Sequence, residues 1–280
     1  MPRILCLHGH GTSGSIFKTQ TASFRSKLPA SYTFDFPSAP HPSKPSPGIE
    51  SIFPDSPTYT WWLSPTPSAL REAHAWVRRY ARAHGPFDAV MCFSQGCSLI
   101  STMALYDALD RYNGVAGEEL PFAAAIFICG GVPLWALEDL GLAVPERAHA
   151  LSATTGSLLT ATAGKLTALA GDVSQIQRGV GLWDGNGTRL VHDPDPAARP
   201  GREDVFGLDY SGFPGWARIR VPTGHVYGAK DPRWPAGIQL AEFCEERVEM
   251  DHGGGHDIPR STRVAEGIAG LVRGVVESVV

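Results

Sequence analysis

No two of the chain's five cysteines form a CxxC pair, and Cys6, Cys92, Cys97, Cys129 and Cys244 sit mostly in apolar runs. Thiols in such settings pack as small hydrophobes, so buried free cysteines are expected rather than a disulfide framework or a secreted protein. Charge of one sign is equally scarce: 24 basic and 28 acidic side chains give a formal net charge of −4, with no block of like charges. Such a surface offers no basic stripe to a phosphate backbone, so nucleic acid is not an expected partner. Apolar runs are short as well. None reaches the roughly 20 residues of a bilayer-spanning helix, and Ile4 to Leu7 is too brief for a secretory core. These absences lead to the expectation of a soluble, cytoplasmic protein without internal repeats or membrane contact.

What is present is an alternation of strands and helices. Arg3 to His8 reads as a buried strand ended by glycines, Ser15 to Leu28 as a helix, and Tyr32 to Phe36 as a second strand. Proline and serine crowd the stretch from Pro37 to Pro67, which predicts a long surface loop. Beyond it come a helix over Ala69 to His84, a strand over Phe87 to Phe93, and a helix from Gly96 to about Leu109. Later strands are expected at Phe122 to Cys129, Val221 to Tyr227 and Arg247 to Met250, with helices from about Pro235 and Thr262. Strands separated by helices pair in parallel, so the expected class is α/β. Although 280 residues would allow two small domains, the order of elements favours one, with an insertion or lid at about 131–218. That insertion is Ala, Leu and Thr rich from Leu151 to Gln177, then Gly, Asp and Pro rich from Gly179 to Tyr210.

Three positions carry the chemistry. Ser94 lies where a buried strand turns into a helix, the setting in which a hydroxyl is held exposed above a sheet. Its surroundings read Cys92-Phe93-Ser94-Gln95-Gly96, with cysteine where the G-x-S-x-G pattern has its first glycine. A helix-capping serine would look similar. A serine hydroxyl needs a base, and the base a carboxylate to orient it, in the chain order serine, acid, histidine. Asp231 follows the strand ending at Tyr227, and His256 follows the last strand in a glycine loop. His252 is the rival base and is read instead as bracing that loop. Metal binding is not expected, because a triple glycine between the two histidines matches no familiar ligand spacing. Backbone N–H groups of Gln95 and His10 suit an oxyanion hole. Gly9-His10-Gly11-Thr12-Ser13-Gly14 is also a literal G-x-G-x-x-G, with Asp35 at nearly the distance of a dinucleotide fingerprint. An NAD(P)-dependent oxidoreductase is therefore one alternative, and a non-catalytic hydrolase-fold binding protein another.

On Leu5 to Gly9, Cys92 to Gly96, Ile128 to Gly131, Val226 to Gly228 with Asp231-Pro232, and Gly254 to His256, the chain resembles the fungal family of serine hydrolases. The resemblance implies an α/β-hydrolase fold, a catalytic triad of Ser94, Asp231 and His256, and no metal or organic cofactor. It also implies an ester or thioester substrate. Phe206-Gly207-Leu208-Asp209 and the long insertion look like the members that act in secondary-metabolite pathways. There the resemblance implies a thioesterase that releases or edits acyl or polyketide chains, with the acyl carrier domain of a polyketide synthase as a partner. A carboxylesterase on small-molecule esters is the alternative. Trp61, Trp62 and Trp135 are candidates for the wall of an acyl pocket, each with core packing as its competing role.

Overall fold

A computed structural model of the chain describes residues 1–115, 119–172, 180–191 and 203–280. The first half runs β1 (Arg3–Leu7), α1 (Gly14–Gln20), α2 (Ala22–Arg25), β2 (Thr33–Asp35), β3 (His41–Pro42), α3 (Ile49–Ile52), β4 (Tyr59–Thr60) and α4 (Pro67–His84). After it come β5 (Ala89–Phe93), α5 (Gln95–Tyr112), β6 (Ala124–Ile128), α6 (Leu134–Asp139) and α7 (Glu146–Gly171). The chain then returns to β7 (Thr223–Tyr227), α8 (Trp234–Glu242), β8 (Arg247–Asp251) and α9 (Thr262–Glu277).

Every apolar run read as a strand enters one sheet, ordered β2-β1-β5-β6-β7-β8 and parallel at each pairing. Successive side chains of a strand face opposite ways, and the runs obey this strictly. Ile4, Cys6, Ala89, Met91, Phe93, Ile126 and Ile128 face one core with α9, while Leu5, Leu7, Val90, Cys92, Ala125 and Phe127 face another with α4 and α5. Because both faces are covered, the central strands read as unbroken apolar runs. Helix α4 starts two residues earlier than expected because Thr66 Oγ1 caps the Ala69 N–H and Pro67 fits the first helical position. Its buried Leu70, Ala73, His74, Val77 and Ala81 form one stripe.

Two expectations need correction. The single helix over Ser15 to Leu28 is two, parted at Thr21, whose hydroxyl donates to Phe17 O at 2.8 Å and competes with the helical ladder. The proline-rich stretch is no mere surface loop. Its β3 and β4 form an antiparallel hairpin, and Ala39, Thr58, Thr60 and Trp61 are buried. Burial is possible because the backbone there finds partners in the glycine loop after β1. Within the insertion, Leu151 to Gly171 belongs to the long helix α7, and a 3-10 turn covers Asp184–Arg189. Positions 173–179 and 192–202 of that stretch lie outside the described residues.

Strand β1 has β2 on one side and β5 on the other, so the direction of chain progression reverses between β1 and β5. The loops leaving the carboxyl ends of two such strands part and open a crevice, the usual ligand position in an open α/β sheet. His10 follows β1 and Ser94 follows β5.

Candidate active site

Between β5 and α5 the chain reverses in one residue. Ser94 has φ 51° and ψ −111°, a backbone conformation that L-residues adopt only when their surroundings impose it. Here its N–H donates to Ile128 O at 3.0 Å, tying the turn to β6. Gly96 permits the close approach of α5 to β1, since a Cβ there would run into Leu7 O. Cys92, at the first glycine of the usual pattern, is fully buried with its side chain in the α4/α5 core. The neighbouring Cys97 thiol donates to Cys92 O at 3.3 Å, so the bulkier residue is absorbed without losing the turn.

The structure brings Ser94, His256 and Asp231 into one line. His256 Nε2 is 3.1 Å from Ser94 Oγ, and His256 Nδ1 is 2.7 Å from Asp231 Oδ2. Since the carboxylate accepts, Nδ1 is assigned the proton and Nε2 is left to accept from the serine hydroxyl. Asp231 is 1% exposed, and its other oxygen accepts the Arg233 N–H at 2.7 Å. The acid and histidine loops interlock: Lys230 N–H donates to Gly254 O at 2.9 Å, and a Cβ on Gly228 would strike that same peptide. His252 lies apart from Ser94's hydroxyl. Its Nδ1 accepts the Gly254 N–H at 3.1 Å and its Nε2 is 3.7 Å from Cys129 Sγ. Burial lowers its pKa, as a neutral bracing histidine requires.

Gln95 and His10 follow the two strand ends. Neither backbone N–H has an acceptor among the described residues, and free donors of this kind are what a developing oxyanion needs. A strained serine, a histidine within hydrogen-bond reach of it, a buried carboxylate behind the histidine and two N–H groups without an acceptor among the described residues thus lie together at the crevice.

Comparisons with known proteins give the family. A family profile described as serine hydrolase (FSH1) matches residues 1–268. The chain belongs to the FSH1 serine hydrolase family. Among its curated relatives are esterase FPY3 of Fusarium mangiferae, 27% identical over 92% of this chain and 88% of the relative, and esterase alnB of Emericella nidulans, 26% identical over 93% and 92%. Esterase pigG of Monascus ruber is 27% identical over 97% of this chain and 90% of its own length. An epoxide hydrolase variant from Bacillus megaterium superposes with a TM-score of 0.51 at 12% identity, covering 99% of this chain and 94% of that one. That likeness speaks for the α/β-hydrolase fold alone.

In this serine hydrolase the G-x-G-x-x-G glycines serve packing. A Cβ on Gly11 would meet Ser46 and one on Gly14 would meet Phe36, so the chain's own backbone lies where a pyrophosphate would have to approach. Asp35 accepts from the Tyr80 hydroxyl at 3.1 Å. The dinucleotide alternative fails on that packing. Cys129, Asp231 and His256 do present ligand atoms within 4.8 Å of one another. The acid and histidine are already bonded to each other, however, and burial pushes the Cys129 thiol well above its usual range, away from the thiolate a metal takes.

The three tryptophans separate. Trp61 is fully buried, with its indole N–H on His8 O at 2.8 Å and its ring 5.2 Å from Trp76, so it presents no face to a ligand. Trp62 and Trp135 are partly exposed against the α4/α5 core. Two residues absent from the sequence reading also touch the loops that carry Asp231 and His256. Arg233 donates to Ser152 O at 2.8 Å, Ser152 Oγ at 3.1 Å and Thr155 Oγ1 at 3.0 Å on α7. Trp183 lies against Gly255 and hydrogen-bonds the Asp257 carboxyl, whose pKa is raised by burial. Arg233 sits two residues beyond Asp231, and that proximity was the available signal.

Proposed function

We propose that this hydrolase cleaves an ester or thioester through a covalent acyl-enzyme on Ser94. Ser94 Oγ attacks the carbonyl carbon as His256 Nε2 takes its proton, and Asp231 holds the imidazole in the required tautomer. The Gln95 and His10 N–H groups receive the oxyanion. His256 then protonates the leaving alcohol or thiol, and water, activated by the same imidazole, releases the acid. The single observation that carries this reading is the 3.1 Å contact between His256 Nε2 and Ser94 Oγ at a strained elbow. The esterase names of the relatives support an acyl substrate. A narrower form has the acyl chain arriving on a carrier domain as a thioester, with this hydrolase acting in the cytoplasm as one domain.

Fluorophosphonate labelling followed by mass spectrometry tests the nucleophile. Labelling confined to Ser94, and lost in Ser94→Ala with the fold intact, is expected. Turnover should drop by about 10⁴-fold or more in both Ser94→Ala and His256→Ala, and far less in His252→Ala. Substantial activity in Ser94→Ala sinks the mechanism. Release of acyl chains from a carrier would support the thioesterase form, while good turnover of simple esters with none from any carrier would overturn it.

A further inference from the structure

The two backbone donors assigned to the oxyanion come from different segments, one after β1 and one opening α5. Their side chains meet at a single atom. Thr60 Oγ1, on β4 of the proline-rich hairpin, lies 3.0 Å from His10 Nδ1 and 3.0 Å from Gln95 Nε2. The Gln95 amide straddles that hydroxyl, its oxygen 3.1 Å from Thr60 Oγ1; because the oxygen also accepts the Trp61 N–H at 3.2 Å, Nε2 is left to donate to Thr60. The threonine hydroxyl in turn reaches Trp62 O at 3.0 Å. One hydroxyl can donate once and accept twice, and with His10 protonated on Nδ1 all three bonds at Thr60 are satisfied. The residue is 3% exposed, so water does not compete for these positions.

The hairpin around Thr60 grips the same loop through the backbone. Gly11 N–H donates to Tyr59 O at 3.0 Å, Tyr59 N–H to Thr12 O at 2.7 Å, and Ser46 Oγ to His10 O at 2.7 Å. The backbone that follows the His10 N–H is thereby fixed by the hairpin, and Thr60, with the Trp61 N–H beside it, extends that hold to Gln95 at the start of α5.

We infer that Thr60 is a positioning residue of the oxyanion hole, its hydroxyl keeping the His10 and Gln95 donors in register across the crevice. This rests on the acyl-transfer reading above. Thr60 does not touch substrate. Its effect belongs to the transition state, because a hydrogen-bond donor displaced by a fraction of an ångström loses most where charge develops and little where substrate first binds.

The test is steady-state kinetics of Thr60→Val, Thr60→Ser and His10→Ala on a p-nitrophenyl ester, with fluorophosphonate labelling of the parent run alongside. Thr60→Val is isosteric and lacks the hydroxyl; its kcat should fall on the order of ten- to a hundredfold with KM within about twofold. Thr60→Ser should recover most of kcat. His10→Ala keeps the backbone N–H and cuts one of the bridges from a side chain that is exposed, so it should fold and lose kcat in the same direction but less. Inhibition by a trifluoromethyl ketone should weaken in parallel with kcat. An unchanged kcat in folded Thr60→Val, or a loss that Thr60→Ser does not recover, overturns the inference. If Thr60→Val does not fold, an unchanged kcat in His10→Ala does so. Labelling of Ser94 in the parent separates the two failures: with it the hydrolase mechanism stands and only the role of Thr60 falls, without it both fall.

Discussion

The two flanks of the crevice are braced by different chemistry. On the oxyanion side, residues 39–62 hold the glycine loop through neutral groups, most of them backbone: Ala39 N–H on His8 Nε2, Ser46 N–H on Gly11 O, Tyr59 on both Gly11 and Thr12. On the acid and histidine side, the insertion holds its loops through side chains with charge: Arg233 on Ser152 and Thr155, Lys230 on Asp184, Trp183 on the Asp257 carboxyl. Neutral buried bonds are indifferent to salt, whereas ion pairs at the surface are screened by it. The contrast separates a flank that sets the geometry of two backbone donors from one that anchors two side chains.

Acid should break the first flank. His8 is fully buried, and burial lowers its pKa from 6.5 to about 4. Its Nε2 must stay unprotonated to accept the Ala39 N–H at 2.9 Å, while Nδ1 faces Gly9 O at 2.7 Å. Because the folded pKa is the lower one, the unfolded chain takes up the proton first on acidification. The stability this group provides is complete above pH 6.5 and is lost as pH falls toward about 4. At 1.36 kcal/mol per pKa unit the loss amounts to about 3 kcal/mol. Urea unfolding of the parent and of His8→Gln between pH 7 and pH 4 measures it. The variant is expected to be less stable at pH 7 and to decline less steeply. Parallel decline in the two proteins would remove His8 from the account.

The second flank should break at Arg233. Arg233→Ala removes three hydrogen bonds to α7 from a largely buried guanidinium and leaves the Thr155 hydroxyl short of a partner. A cost of about 2 kcal/mol is expected, read as a lower urea midpoint. The Arg233 N–H on Asp231 Oδ1 survives the substitution, so kcat should fall less than in His256→Ala. Loss of kcat equal to that of His256→Ala, in folded protein, would mean that α7 controls the acid directly.

Much of this was legible in the sequence, and what was not has a physical reason. Runs of four to eight residues located every strand of the main sheet; they are clearest at β5 and β6, which are buried on both faces and leave no polar interruption, whereas the edge strands β2 and β8 carry polar residues. Ser94, Asp231 and His256 could be named because each follows a strand and carries chemistry in its side chain. The hairpin and its grip on the glycine loop escaped because backbone hydrogen bonds leave no residue-type signature, and prolines masked the β-favouring run Thr58 to Trp62. Trp61 was a candidate ligand wall because tryptophan suits both a pocket and a core; its full burial and the bond from its indole N–H to His8 O decided for the core.

The smallest effect belongs to Lys230. Its ammonium meets Asp184 with both side chains well exposed, 48% and 36%, so solvent already screens the pair. The hydrogen bond from Lys230 holds Asp184 below the usual carboxylate range, with the Gly181 N–H adding to it. Whatever stability this confers is present above the ordinary carboxylate pKa and fades as pH drops through the depressed one. Lys230→Ala keeps the backbone N–H on Gly254 O that interlocks the acid and histidine loops. Thermal melting at physiological salt is therefore expected to match the parent, with a small deficit emerging only at low ionic strength and at neutral pH. A tenfold loss of kcat in this variant, persisting at high salt, would show that the insertion acts on the histidine loop through this charge, and the distinction between the two flanks would lose its electrostatic basis.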